Sequence, residues 1–125
     1  MVDDAEQIAD ALFGAIEGGD LDAVAALYSP DVEVWLNTDG IARGRDENLR
    51  TLGWVVANLT DRRYEEIRRH RTDTGVVQQH VLRATTAAGR RVAVPACMVI
   101  TIDGGRITRL EEYLDSAHIA ELTAP

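Results

Sequence analysis

The stretch "DTGVVQQHVLRATTAAGRRVAVPACMVITIDGG", residues 73 to 105, decides the fold. Its turn signals "DTG", "AAG" and "DGG" cut the second half of the chain into long runs. Residues 63–73, 75–87, 90–102 and 105–115 read as four strands. Turns this short join neighbours as antiparallel hairpins, and strand periodicity then assigns faces. Val92, Val94, Ala96, Met98, Ile100 and Ile102 form one unbroken apolar face. Pro95 falls on the opposite register, where a residue without an N–H points to a bulge or an edge. On the preceding strand Val76, Gln78, His80 and Leu82 share a face, so an amide and an imidazole stand among apolar neighbours. On the last strand Thr108, Leu110, Glu112 and Leu114 oppose Ile107, Arg109, Glu111 and Tyr113. Two readings of that strand stay open. One sets a carboxyl between two leucines; the other leaves it in solvent, with Ile107 and Tyr113 inside. His80, similarly, is either a satisfied structural residue or part of a site.

Working back toward the N-terminus, the periodicity changes. Asp3 and Glu6 have capping-box spacing, and Ile8, Leu12, Ala15 and Ile16 form a stripe at helical period. Gly18-Gly19 closes that helix, and Asp20 caps a second one, "LDAVAALY", which runs up to the Ser29-Pro30 pair. "DVEVWLN" alternates as a strand, Asn37 to Gly44 reads as a loop, and from Asp46 a third helix presents Leu49, Leu52, Val56 and Leu59 on one face. "SAHIAEL" suits a short last helix. Three helices ahead of a curved antiparallel sheet make an α+β layer architecture, a single domain over residues 1–125.

Composition narrows the chemistry. A net charge of −8 argues against a nucleic-acid surface. All 13 basic residues are arginine, so neither a Schiff-base lysine nor a phosphate-binding lysine loop exists. The clusters Arg62-Arg63 and "RRHR" (68–71) read as a solvated or ion-paired sheet face in preference to an anion site. The single cysteine, Cys97, reads as a small buried strand residue in a reducing compartment. Ser29 and Ser116 form no nucleophile elbow, and His70, His80 and His118 lack metal-ligand spacing. No metal or organic cofactor is therefore expected. With no signal-like N-terminus and no apolar run of membrane length, the expectation is a cytoplasmic protein that engages neither membrane nor nucleic acid.

The stretches "GGDLDAVAALYSPDVEVWLN", "GRDENL" and "GGRITRLEEYLD" together resemble the nuclear transport factor two-like superfamily across nearly the whole chain. That group includes SnoaL-like polyketide cyclases, ketosteroid isomerases, limonene epoxide hydrolases and non-catalytic binding modules. The resemblance implies a conical fold, a strongly curved sheet wrapped on the N-terminal-half helices around an internal pocket, and a homodimer packed through the sheet. The ketosteroid isomerase pattern fails here, because its tyrosine, base and neutral aspartic acid fall on Leu12, Leu36 and Pro95. The limonene epoxide hydrolase pattern fits better. Its water-positioning asparagine matches Asn37 and its partner tyrosine falls on Trp35. Its base falls on Glu112, and its arginine-x-aspartate pair falls on Gln78 and His80.

By that resemblance Gln78, His80 and Glu112 point inward. The expected function is cofactor-independent acid–base catalysis on a small apolar molecule, whether epoxide hydrolysis, isomerisation or cyclisation. Glu112 would be the base, His80 the acid or orienting partner, and Asn37 the residue that holds a water. Gln78 would bind a polar substituent, while Trp35, Trp54, Leu82, Val94, Ala96 and Leu114 would wall the pocket. The alternative is a non-catalytic ligand-binding or dimerisation module of the same fold.

Overall fold

A computed structural model describes residues 4–125. Helix α1 (Asp4–Gly18) buries Ala9, Leu12, Phe13 and Ile16 and ends at Gly19, whose φ of 75° only glycine adopts without strain. The expected capping partner Asp3 lies outside the described residues. Asp20 accepts a hydrogen bond from the Ala23 amide and starts α2 (Leu21–Leu27). Tyr28 was expected to close that helix. Instead it opens strand β1 (Tyr28–Leu36), since a chain heading into Pro30 is biased to extended backbone. Next come β2 (Ile41–Arg43), α3 (Arg45–Asn58), β3 (Thr60–Thr72), β4 (Gly75–Thr85), β5 (Arg91–Asp103), β6 (Arg106–Leu114) and α4 (Ser116–Leu122). The segment read as a loop thus contains a short strand, β2, paired antiparallel with β1.

The sheet runs β2-β1-β6-β5-β4-β3. Hairpin turns make β3 to β6 antiparallel, as their turn residues require. β1 instead lies parallel to β6, so the sheet is mixed rather than wholly antiparallel. No hairpin joins those two strands; the chain returns to β1 only after α3 and three further strands, which leaves the direction free. One face carries the helices and the main core, in which Leu12, Phe13, Val24, Tyr28, Val32, Val76, Ile100 and Ile107 are packed.

Bulges bend this sheet and reset its faces. β3 carries two, with Asp61 and Glu66 at φ 50° and 54°, and each inserts one residue against β4. Tyr64, opposite Leu82, and Arg69, opposite Gln78, therefore both face the helices although they stand five positions apart. A further irregularity in the β5–β6 ladder, where Ile102 pairs Ile107 and Thr101 pairs Arg109, leaves Thr108 extra. Both sequence readings of β6 thus hold in part: Ile107 and Leu110 are each buried, and Tyr113 faces out. Pro95 sits where the β6 ladder has already ended, since the last pair there is Ala96 with Leu114. Arg62 closes the other end. Its guanidinium donates to the carbonyls of Ile16 and Glu17 in α1 and of Val56 and Leu59 at the end of α3, holding two helix C-termini against β3.

Gly75 stands where β4 crosses closest to β5: a Cβ there would lie 1.9 Å from the Ile100 carbonyl oxygen. Gly75→Ala should lower stability by about 1–3 kcal/mol or more, because backbone must move to admit one methyl group. A thermal melt unchanged from wild type would show that the strands part easily at this point.

Candidate functional site

Three strands line up the polar groups of the concave face. Across the sheet Arg69 pairs Gln78, Gln78 pairs Met98, and Met98 pairs Glu112; one step along, His80 pairs Ala96 and Ala96 pairs Leu114. Gln78 and His80 are buried at 0% and 4% exposure, while the neighbouring Gln79 is exposed. Two such groups can be buried only if their hydrogen bonds are made. They are: Gln78 Nε2 lies 2.8 Å from His80 Nδ1, and Arg69 Nε donates to Gln78 Oε1 at 2.8 Å. Arg69 in turn pairs with Asp10 of α1 at 2.7 Å. Phe13 and Tyr64 set their rings edge-on to His80, with centroids at 5.3 and 4.8 Å. Burial, and then the Arg69 charge, push the His80 pKa down to about 4, so the ring is neutral at physiological pH.

Glu112 answers differently to the same interior. It is partly buried, and its side chain makes no hydrogen bond or ion pair among the described residues. Burial raises its pKa from 4.5 to about 7. Tyr28 and Tyr64 lie close enough to feel it: burial first, and the Glu112 charge second, push both phenols up. Tyr28 donates to Asn48 Oδ1 of α3 at 2.8 Å. The expected His80–Glu112 pair is not hydrogen-bonded. β5 separates the two strands, about 10 Å across at ordinary strand spacing, and no hydrogen bond or ion pair joins the side chains.

The remaining expected site residues divide. Leu82, Val94, Ala96 and Leu114 lie on the concave register with His80 and Glu112. Asn37 is exposed, and both ends of its amide are taken: Nδ2 donates to the Leu114 carbonyl and Oδ1 accepts from the Leu114 amide. It staples the end of β1 to β6, using one of its two N–H donors and one of its two oxygen lone pairs. Trp35 is on the opposite face, its ring 5.3 Å from that of Tyr113, because Val32 and Val34 take the inward positions of β1. Trp54 is 40% exposed on the outer side of α3. Cys97, expected to be buried, is partly exposed in a groove whose lining includes Glu66, Arg68, Gln79, Tyr113 and also His80 and Ala96. The arginine missing from the strand that carries Gln78 and His80 is supplied from β3 as Arg69. Periodicity hid it, because alternation from Tyr64 points Arg68 inward until the Glu66 bulge is counted. Tyr28 was masked by the helical reading of "LDAVAALY". No group of three His, Cys, Asp or Glu gathers as metal ligands among the described residues, and no helix there is long and apolar enough to cross a membrane.

Comparison with known proteins agrees with this frame. Residues 9–110 match the family model of the SnoaL-like domain. The chain belongs to the SnoaL-like family. It is 31% identical over 121 residues to uncharacterized proteins of Mycobacterium tuberculosis (strain H37Rv) and Mycobacterium bovis, covering 90% of this chain and 91% of each relative. Among solved structures, a candidate polyketide cyclase from Xanthomonas campestris pv. campestris superposes with a TM-score of 0.83 at 22% identity, covering 97% of each chain. An epoxide hydrolase of the limonene type from M. tuberculosis gives 0.77 at 22% identity, over 94% of this chain and 87% of that one. At such identities the solved structures speak for the fold, which is SnoaL-like and α+β.

The two shifted groups make opposite demands on stability. Glu112 keeps its proton to about pH 7 when folded but only to 4.5 in the unfolded reference, so folding loses up to about 3 kcal/mol as pH rises through that window. His80, lowered from 6.5 to about 4, takes its proton more readily when unfolded, so folding loses a similar amount, about 3 kcal/mol, as pH falls through that window. Glu112→Gln lacks the first loss. In urea melts its stability relative to wild type should be about 2–3 kcal/mol more favourable at pH 8 than at pH 5. The reverse order would mean that Glu112 is well solvated.

Proposed function

We propose that this SnoaL-like chain is a cofactor-independent acid–base enzyme acting on a small, largely apolar molecule that carries an acceptor oxygen. The reading is carried by a partly buried carboxyl with no cation against it, its pKa near 7, on the same concave face as a neutral imidazole. A base is most effective when its pKa lies near the working pH. Glu112 would take a proton from a water or from a carbon beside a carbonyl. His80 would donate a hydrogen bond to the oxygen that gains charge. The substrate would lie over Ala96 between them, against Leu82, Val94 and Leu114, with Tyr64 alongside. Epoxide hydrolysis, isomerisation and cyclisation all use that division of labour. The structural likeness to an epoxide hydrolase and to candidate polyketide cyclases supports the same group of reactions. A non-catalytic binding module is the second reading, favoured by one observation: Asn37 turns its amide to the Leu114 backbone.

Turnover against a panel of small epoxides and cyclic ketones separates the two. Glu112→Gln should lower kcat/KM by about 10²–10⁴-fold without loss of fold. Because the base acts ionised, the wild-type rate should climb as pH rises through about 7 and then level off. His80, neutral down to about pH 4, should add no second limb near neutrality. A Glu112→Gln variant with wild-type turnover would leave the binding module.

For assembly, we propose a second copy of this chain against the convex face, where Tyr113 is exposed, at 43%, beside Trp35. Sedimentation at micromolar concentration should give the mass of a dimer, and a monomer would remove the proposal.

A further inference from the structure

We infer that Arg69 and Gln78 are positioning residues that lock His80 with its proton on Nε2, so that toward a ligand His80 can only donate. The inference rests on the proposed acid–base site and names what that site binds at His80: an acceptor oxygen, not an N–H or ammonium group.

The argument needs only the direction of each hydrogen bond. A guanidinium has five N–H donors, no acceptor, and a charge it does not lose in a protein. Arg69 Nε, 2.8 Å from Gln78, must therefore face the amide oxygen, and the assignment of that amide follows from chemistry. Gln78 Nε2, 2.8 Å from His80 Nδ1, is then a donor. Nδ1 must accept, and a neutral imidazole that accepts at Nδ1 carries its hydrogen on Nε2. Protonating Nδ1 would set two donors against each other in a buried place. Nε2 makes no hydrogen bond among the described residues, so its N–H is the free end of the chain Asp10–Arg69–Gln78–His80. The groups packed around the ring act in the same direction. From β3 come Arg69 and the uncharged Tyr64, from α1 Phe13, while Glu112 on β6 makes no hydrogen bond or ion pair with it among the described residues.

The test uses the full-length protein labelled with ¹⁵N-histidine, observed through long-range proton–nitrogen correlation, with His80 assigned by its loss in His80→Asn. In the wild type at neutral pH, His80 should show a bare Nδ1 and a protonated Nε2. Gln78→Glu replaces the amide donor with a second acceptor beside Arg69, so the hydrogen should move to Nδ1 and the His80 titration should move upward. Arg69→Met releases the amide, and His80 should become a mixture of both tautomers. A wild-type His80 protonated on Nδ1 overturns the inference even if no variant folds, and so does a Gln78→Glu protein that keeps the Nε2–H form. The spectrum needs no substrate. If Glu112→Gln left turnover intact while His80 held its Nε2 proton, the acid–base reading would fail and the lock would stand; the opposite pair of results would fail the lock alone.

Discussion

A guanidinium turned into the concave face fixes the direction of the hydrogen bonds that follow from it. Arg69 cannot surrender its charge, so it must be paired, and Asp10 on α1 supplies the pair while Gln78 takes a second donor. One side chain thereby ties the first helix to the sheet and sets the amide that sets the imidazole. Its inward position is not a property of the strand alternation. It exists because Glu66 accepts a left-handed backbone and shifts the phase of β3 by one residue. Without the extra residue, Arg69 would exchange faces with its neighbours and Gln78 would be buried with an unsatisfied oxygen.

The same burial acts on two titratable groups with opposite results. It disfavours charge in both, which keeps His80 free of its proton and makes Glu112 hold on to one. Both therefore tend toward neutrality in the closed interior, without an ion pair between them. The lack of a cation beside Glu112 costs folding free energy above neutral pH. Shifted, unpaired carboxyls of this kind cluster at functional sites, which is the ground of the proposed role.

Strand order within the second half, the pairing of the hairpins and the apolar face of β5 were legible in the sequence because they depend only on turns and on a period of two. The SnoaL-like resemblance, carried by "GGDLDAVAALYSPDVEVWLN" and "GGRITRLEEYLD", supplied the fold, and with it the inward register of Gln78, His80 and Glu112. What alternation cannot count is an inserted residue. The bulges at Asp61, Glu66 and Thr108 therefore concealed Arg69 and split the reading of β6. Direction along the sheet was hidden too: β1 pairs with a strand nearly eighty residues away, where no turn dictates parallel or antiparallel. Transfer by resemblance failed at Asn37 and Trp35, whose positions match a pattern while their side chains serve the β1–β6 junction and the outer face.

Under the proposed acid–base reading, His80 and Glu112 act from separate strands. Held in direct contact, each would stabilise the other's charge, drawing the His80 pKa up and the Glu112 pKa down. With β5 between them, and the small Ala96 facing the same side, the proposal has one group meet the proton to be removed while the other meets the oxygen that gains charge. The Gln78 amide occupies the side of His80 that could otherwise take a proton. Under the proposed acid–base reading, proton acceptance would fall to Glu112 and hydrogen-bond donation to His80, on two strands that β5 keeps apart.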